Sequence, residues 1–453
     1  MELQAVVMAA GGGSRMMDLT YSIPKPLLPI GNKPLIWYPL SLLERVGFEE
    51  VIVITTKEAQ KEVQKLLLTE TKLKPDIVCV QEDADMGTAD ALRHIQQKIK
   101  TDVLVVSCDL ITDAALHEVV DLFRVHNATL SMLMSKAHEF TETVPGQKGK
   151  KKAGEQRDFV GVDDSGKRLL FMANEADLDE DLVIRKSIMR RMSDTPPSLN
   201  APSRQVNGGD LQEGTWYGMP CIPLPPCPRS ISSIRGELVP CLVRKQFSKF
   251  SSLQKNKEEP NQNMKKKDAN TNSENHIASA DDDLLELALN RSCWNDHRGD
   301  MCGAYHGGKL RCYVHIMEEG MCYRVNTLAA YIEANRLASK LFEEPAIHPS
   351  AVISERSVVG SDSIIGTYCQ IAEKASVKRS TIGASTTIKE KAKITNSIIM
   401  NGVTIEEGCN IQGSVICSHA TICRGADIKY CLVGNSQRVE AEGEHLFQCA
   451  YAH

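Results

Sequence analysis

The stretch that decides the fold runs from Met8 to Leu35 and reads MAAGGGSRMMDLTYSIPKPLLPIGNKPL. It overlaps a short apolar run, Ala5–Ala9, whose length and composition predict a buried strand. The glycines at 11–13 can adopt positive φ and bring backbone N–H groups up to an anion. Arg15 and Lys25 bring fixed positive charge to the same place, so the stretch predicts a nucleoside-phosphate site. The predicted cradle residues are Gly11, Gly12, Gly13, Ser14, Arg15 and Lys25.

The strings GGGSRM, IPKPLLP and GNKPLI resemble the signature of the sugar-1-phosphate nucleotidyltransferases in order and spacing. A glycine turn alone is a weak signal, whereas the combined string is specific. The resemblance implies that the glycines and Arg15 hold nucleotide phosphates with help from Lys25. It also implies that Gly87 and Thr88 lie by the base and that Asp109 stands where the family binds magnesium. The alternative is that the fold kept the loop while the chemistry was lost.

The composition predicts a cytosolic protein of two or three domains. At 453 residues the chain is long enough for each domain to bury its own core. A net charge of −5 gives no general attraction to nucleic acid or to an anionic membrane. No apolar run approaches the ~20 residues that span a bilayer, and the N-terminus does not resemble a signal peptide. Fifteen cysteines without such a signal indicate mostly free thiols in a reduced compartment.

Strands and helices alternate through the first 134 residues. This alternation predicts an α/β, nucleotidyltransferase-like (Rossmann-like) domain with a parallel sheet covered on both faces. Ligands bind such sheets at the carboxyl ends of the strands, where Gly11–Arg15, Gly87–Thr88 and Asp109 fall. The predicted strands after the first are Val51–Ile54, Asp76–Val80, Asp102–Ser107 and Leu130–Met134.

Two requirements of nucleotidyl transfer are missing from the sequence. The family grips the sugar phosphate with an E-K-P string, and no Lys-Pro follows Glu175. The second magnesium carboxylate is expected from a later strand, but Met192–Arg229 is rich in Pro, Gly and Ser, and neither Asp194 nor Asp210 lies in a strand-like pattern. We therefore expect no catalytic residue and no metal, and interpret this segment as replaced or alternatively spliced and poorly ordered. Prolines that argue against a central strand there are Pro196, Pro197, Pro220, Pro223, Pro225, Pro226 and Pro228.

Order returns after this segment. Ser232–Phe247 has an amphipathic helix pattern interrupted by Pro240, Arg311–Met317 reads as a strand, and Val325–Arg336 reads as a helix. The predicted divisions are a nucleotidyltransferase-like domain at 1–247 and 310–340, a polar linker at 248–309, a β-helix at 345–440 and an irregular tail at 441–453.

The β-helix is predicted from a hexapeptide repeat. Aliphatic residues recur every six positions from Ile347 to Val377 and every five or six positions as far as Val439. One coil consists of three short strands. Equivalent positions in successive coils are Val377, Ile394, Ile411 and Ile428. This pattern is typical of a left-handed parallel β-helix with one aliphatic side chain per face pointing inward.

Seven strings resemble the family of gamma subunits of eukaryotic translation initiation factor 2B: GGGSRMMDLT, VVSCDLITD, VPGQKGKKK, FMANEADLDEDLVI, LVRKQF, RCYVHIM and RVNTLAAYIEANR. The likeness fails over Met192–Arg229 and at the C-terminal end. It implies a non-catalytic scaffold in the exchange factor that reloads initiation factor 2 with GTP, with no cofactor. The implied partners are the catalytic epsilon subunit, the other factor 2B subunits and initiation factor 2, without direct contact to nucleic acid or membrane.

Three alternatives remain beside this interpretation. The first is a working enzyme that makes GDP- or UDP-sugars, which the missing E-K-P string and second aspartate argue against. The second is a β-helix acyltransferase using His348 or His419, which read more simply as exposed residues at the corners. The third is a zinc site, for which the ligand spacing is too loose, so free thiols are favoured. Its candidate ligands are Cys293, His297, Cys302, His306 and Cys312.

Overall fold

The structure is a computed structural model that describes most of both predicted domains. It describes residues 3–80, 86–136, 145, 158–163, 165–174, 212–216, 221–222, 231–246, 310–341, 346–440, 444–446 and 449–450. The predicted linker at 248–309 lies outside these ranges. So do Glu175, Asp194, Asp210 and, of the zinc candidates, Cys293, His297, Cys302 and His306.

A ten-stranded mixed sheet forms the first domain, in the order β10-β9-β11-β8-β12-β6-β1-β4-β5 with β13 beside β8. The predicted parallel arrangement is confirmed for β6, β1, β4 and β5, where Val7 pairs with Val53 and Val106. The strands are β1 Gln4–Ala9, β2 Pro29–Ile30, β3 Lys33–Pro34, β4 Glu50–Thr56, β5 Lys74–Val80, β6 Val103–Ser107, β7 Leu110–Thr112, β8 Leu130–Lys136, β9 Asp158–Val162, β10 Leu169–Asn174, β11 Gln212–Trp216, β12 Cys221–Ile222, β13 Cys312–Met317 and β14 Cys322–Arg324.

Helices cover both faces of this sheet, as predicted, and each face has its own buried apolar cluster. The helix expected before Gly47 is present, and Gly47 ends it at φ 92°, a conformation that glycine adopts without strain. In the described ranges, no helix combines the length and the apolar character needed to cross a membrane. The helices are α1 Met17–Thr20, α2 Trp37–Val46, α3 Lys57–Glu70, α4 Thr88–His94, α5 Leu116–Val125, α6 Val239–Lys245 and α7 Leu328–Leu341.

The prediction that prolines exclude a central strand from Met192–Arg229 is wrong at two places. β11 pairs with β9 and β8, and β12 pairs antiparallel with β6 and β8. Both segments lack proline: β11 reads QEGTW, and the two residues of β12 lie between Pro220 and Pro223. Proline excludes a strand only at positions where the sheet needs the backbone N–H that proline lacks, so prolines that flank a two-residue strand are tolerated.

The helix predicted around Pro240 begins as a π-helical turn. Ile234–Leu238 is π-helical and runs directly into α6, with Leu238 N donating to Ser233 O. Pro240 has no N–H to donate and lies in the first turn of α6, directly after the π-helical turn. The amphipathic pattern is confirmed, since Ile234, Leu238 and Leu242 are buried.

The predicted β-helix is confirmed as three six-stranded parallel sheets. Predicted inward residues from Ile365 to Val439 form its core, whereas Ile347 in the first coil is 41% exposed. Sheet A contains β15 Val352–Ile353, β18 Gln370–Ile371, β21 Thr387–Ile388, β24 Thr404–Ile405, β27 Thr421–Ile422 and β30 Arg438–Val439. Sheet B contains β16 Val358–Val359, β19 Ser376–Lys378, β22 Lys393–Thr395, β25 Asn410–Gln412, β28 Asp427–Lys429 and β31 Glu444–Leu446. Sheet C contains β17 Ile364–Ile365, β20 Thr381–Ile382, β23 Ile398–Ile399, β26 Val415–Ile416, β29 Leu432–Val433 and β32 Cys449–Ala450.

A buried serine ladder stabilises the corner between sheets B and C. Ser380 Oγ accepts a hydrogen bond from Ser397 N, and Ser397 Oγ accepts one from Ser414 N. Ser414 Oγ in turn accepts from Cys431 N at 3.0 Å. Each serine therefore satisfies a backbone donor of the next coil, and the corner carries few unpaired polar groups.

The interpretation of residues 441–453 as an irregular tail is wrong where β31 and β32 form. Register places His445 beside Ile428 and Ala450 beside Val433, so the coil spacing continues. This last coil was missed because the repeat was recognised by isoleucine and valine, and these two positions carry histidine and alanine instead.

Sheet C docks the β-helix against the first domain. Its outward residues Ile398, Val415 and Leu432 are almost fully buried and join an apolar cluster with residues of the first domain, including Met16 and Tyr331. The β2–β3 hairpin, residues 29–34, fastens this contact through polar groups. Asn32 Nδ2 donates to Ile382 O of the β-helix, Gly31 N donates to Asn335 Oδ1 of α7, and Tyr331 OH donates to Pro29 O.

Candidate functional site

The glycine loop lies at the carboxyl end of β1, where the sequence predicts it. Gly13 adopts φ 71°, and a Cβ at this position would meet Thr20 Cγ2 at 2.6 Å, so the position requires glycine. Gly11 and Gly12 are exposed and have no heavy atom near the position of a Cβ. Their backbone is therefore accessible from solvent, and a ligand can approach it closely.

Lys25 points from a short 3-10 turn into the sheet edge. Pro24, with φ −51°, and the buried Pro26 constrain the backbone that presents it. Its Nζ lies 2.5 Å from Asp109 Oδ2, and the lysine side chain is only 10% exposed. The structure thus brings together two of the predicted site residues, Lys25 and Asp109, in a direct ion pair.

Asp109 is the centre of a buried charge cluster. Arg324 Nε donates to both carboxylate oxygens at 3.1 Å, and Ser107 Oγ donates to Oδ1 at 2.5 Å. Burial opposes ionisation of this carboxyl, but Arg324 and Lys25 outweigh it and hold the pKa of Asp109 well below its usual range. The same burial and the Asp109 charge raise the pKa of the neighbouring Cys108 thiol to about 12.

A second buried carboxylate, Asp158, is held by Arg235. Arg235 Nε and Nη2 lie 3.1 and 2.8 Å from Asp158 Oδ2, and Asn174 Nδ2 donates to Oδ1 at 3.0 Å. Partial desolvation lowers the pKa of Arg15, and the charges of Arg324 and Arg235 lower it further. Arg15 therefore shares one electropositive region with both arginine–aspartate pairs.

Gly87 and Thr88 start α4 and contact the segment before α6. Ser232 O accepts a hydrogen bond from Ala89 N, and Thr88 Oγ1 accepts one from Ile234 N at 2.9 Å. A Cβ on Gly87 would clash with the backbone of Ser232. The requirement for glycine here is explained by this packing.

The residues around Asp109 do not fit a divalent cation. The nucleotidyltransferase resemblance implies magnesium at this position, yet each carboxylate oxygen already has two donors. In the described part of the chain, no three His, Cys, Asp or Glu side chains are grouped so that they can hold a metal. The side chain that approaches Asp109 from a later strand, β14, is the cation Arg324.

The remaining candidates are accounted for by ordinary packing. Cys312, in β13, is fully buried, and burial raises the pKa of its thiol to about 12. His348 is exposed and hydrogen-bonds Ser350 through Nδ1, and His419 is exposed with φ 59° at a corner. All cysteines whose state the structure describes are free thiols.

Sequence reasoning missed Arg324, Arg235 and Asp158. Arg324 opens the string RVNTLAAYIEANR, in which the predicted helix begins only at Val325. Arg235 lies in a segment that was interpreted as an amphipathic helix. Both reach the site across more than 75 residues of sequence. Neither lies within the glycine-loop signature, so no local pattern marked them.

Comparison with known proteins agrees with this architecture. Residues 4–142 match the nucleotidyl transferase family, and residues 346–444 match the family described as the EIF2B subunit epsilon LbH domain. The eIF2B subunit gamma of Caenorhabditis elegans is 34% identical over 257 residues, covering 56% of this chain and 60% of that protein. The chain is therefore similar in sequence to eIF2B gamma subunits.

Two further gamma subunits extend the similarity along the chain. That of Schizosaccharomyces pombe is 28% identical and covers 83% of this chain and 74% of the relative. That of Dictyostelium discoideum is 26% identical and covers 84% and 87%. The chain thus spans less than two thirds of the C. elegans protein and more of the other two. Mannose-1-phosphate guanylyltransferases match over shorter stretches, in Arabidopsis thaliana 30% of this chain.

Proposed function

We propose that this chain is a non-catalytic scaffold subunit of the guanine-nucleotide exchange factor for translation initiation factor 2. In this role it acts in the cytosol with a catalytic epsilon subunit, then with the other factor 2B subunits. The similarity to gamma subunits along both domains supports the assignment to this complex. The buried apolar contact between sheet C and the first domain supports a rigid two-domain body suited to assembly.

The observation that carries the non-catalytic part of the proposal is the state of Asp109. Metal-assisted nucleotidyl transfer needs a carboxylate that bridges magnesium to phosphate oxygens. Here Lys25 and Arg324 hold both oxygens of that carboxylate, and the side chain is 1% exposed. We infer that the cradle formed by Gly11–Arg15, Lys25, Gly87, Thr88 and Asp109 is vestigial as a catalytic site.

Co-expression with the epsilon subunit tests this function. We expect the two chains to co-purify and the pair to release GDP from initiation factor 2 faster than the epsilon subunit alone. A chain that is folded but never retained with the epsilon subunit would contradict the scaffold role.

A sugar-1-phosphate nucleotidyltransferase is the second candidate, because the glycine loop and Lys25 keep their predicted places. It predicts GDP-sugar or UDP-sugar formation from a sugar 1-phosphate, GTP or UTP, and magnesium. We expect no product above that of an Asp109→Asn variant. Product formation that depends on Asp109 would favour the enzyme instead.

A further inference from the structure

We propose that Arg324 and Lys25 take the place of a divalent cation at Asp109, so that this centre is a fixed ion cluster that binds no metal. The proposal rests on the proposed function in that it concerns the same site. It goes further by assigning the loss of the metal to named residues and by giving the cluster a structural role.

The hydrogen-bonding capacity of the Asp109 carboxylate is filled. A carboxylate offers about four lone-pair sites. Ser107 and Arg324 donate to Oδ1, and Lys25 and Arg324 donate to Oδ2. Magnesium binds carboxylate oxygens at roughly 2.0–2.1 Å, so an ion can enter only if the ammonium or the guanidinium leaves.

Two side chains supply the positive charge that a divalent cation would bring to this site. Lys25 and Arg324 together carry the two positive charges that a divalent cation would bring. A metal beside them would add like charge to a site from which water is largely excluded, and such repulsion is weakly screened. Asp158, the other buried carboxylate nearby, is bound to Arg235 and Asn174.

The cluster links three parts of the chain. Lys25 precedes the β2–β3 hairpin, Asp109 follows β6, and Arg324 ends β14. The next residue, Val325, donates its N–H to Asp109 O at 2.8 Å, and α7 begins three residues later. α7 packs on sheet C. The cluster therefore anchors the N-terminal end of the helix that contacts the β-helix.

Manganese titration followed by electron paramagnetic resonance tests the proposal on the full chain. We expect the wild-type protein to leave the free Mn²⁺ signal unchanged and its melting temperature to be independent of Mg²⁺. The Arg324→Asp variant places a carboxylate opposite Asp109. We expect this variant to lower the free Mn²⁺ signal, which the wild-type protein leaves unchanged. Mg²⁺ should compete for that site and raise the melting temperature of this variant alone.

Two controls match this variant. Arg356→Asp makes the same change at an exposed pair with Glu373, where the side chains are 72% and 51% exposed, and should bind no Mn²⁺. Adding Asp109→Asn to Arg324→Asp should abolish the new binding. Both controls separate a built two-carboxylate site from a mere gain of negative charge.

Either of two results would overturn the proposal. One is Mn²⁺ binding by the wild-type protein that Asp109→Asn removes. The other is an Arg324→Asp variant that keeps its native circular dichroism spectrum yet gains no Mn²⁺ affinity. If that variant does not fold, the wild-type titration decides alone. Co-purification with the epsilon subunit is measured separately, so the two proposals fail independently.

Discussion

Asp109 shows how the partners of one buried residue limit what a nucleotidyltransferase-like fold can do. Taking a carboxylate out of water is costly, and the cost is recovered only if partners replace the lost hydration. Lys25, Arg324 and Ser107 do so here, at distances of 2.5 to 3.1 Å. The cluster stabilises the fold through the same contacts that keep a metal away.

Replacing Asp109 with Asn should lower the free energy of unfolding by roughly 3–5 kcal/mol, because two buried cations lose their partner. The folded-state pKa of Asp109 lies below the ordinary pKa of an aspartate carboxyl, so this contribution is fully present above that ordinary value. It is lost as the pH falls through the folded-state pKa. Urea unfolding of both proteins from pH 5 to 8 should therefore show a constant difference, which shrinks only in more acidic buffer.

The control for this change is Asp362→Asn at an exposed pair, where Asp362 Oδ2 lies 3.5 Å from Arg379 Nε. A surface pair contributes about 0–1 kcal/mol. Equal losses at Asp109 and Asp362 would show that the buried cluster does not stabilise the fold.

Gly13 and Gly11 give a matched pair in the glycine loop. Gly13→Ala forces a left-handed backbone on a side chain, which costs roughly 1–2 kcal/mol, and brings its Cβ against Thr20. Gly11→Ala meets open space, so its effect should stay within about 0.5 kcal/mol. Thermal unfolding of both variants checks this order, and a larger loss at Gly11 would contradict it.

At the scale of elements, what the sequence predicted depended on how local the pattern was. The β-helix was predictable because every coil repeats within 17 or 18 residues, as the pairing of Val377 with Ile394 shows. β12 was not, because a two-residue strand gains its stability from β6 and β8 rather than from its own sequence. In the site, Lys25 and Asp109 follow from local motifs, whereas Arg324 meets Asp109 only through the pairing of β14 with β7.

The serine ladder yields a prediction for the β-helix as an element. Ser397→Ala removes the acceptor of Ser414 N and the donor to Thr395 O, and should cost roughly 1–3 kcal/mol through the unsatisfied buried groups. Ser376→Ala, on the outward side of sheet B, should change stability by less than about 0.5 kcal/mol. Urea unfolding measures both, and an equal effect would show that the ladder contributes no more than a surface serine.

At the scale of the whole molecule, the apolar outward face of sheet C distinguishes a docked β-helix from an isolated one. Sheet C carries aliphatic residues at outward as well as inward positions, as in the pair Leu432–Val433, whereas the outward Gln412 and Lys393 of sheet B are exposed. The adjacent outward and inward aliphatic residues of sheet C are visible in the sequence, but only the inward residues were used to predict structure. The partner surface could not be predicted, because it is assembled from α7, the β2–β3 hairpin and the segment after the glycine loop.

The docked face predicts that the two domains unfold as coupled units. Leu432→Ala removes a fully buried side chain from the contact and should cost roughly 2–5 kcal/mol, whereas Val358→Ala, at a residue 56% exposed, should cost less than about 0.5 kcal/mol. Tyr331 of α7 packs in the same cluster. Leu432→Ala should therefore also speed amide hydrogen exchange in α7, although α7 lies about 100 residues away in the sequence and is itself unchanged. Exchange measured by mass spectrometry on both variants and the wild type distinguishes the cases. If α7 keeps wild-type protection in Leu432→Ala while the β-helix loses its own, the domains are stable independently and the contact does not couple them.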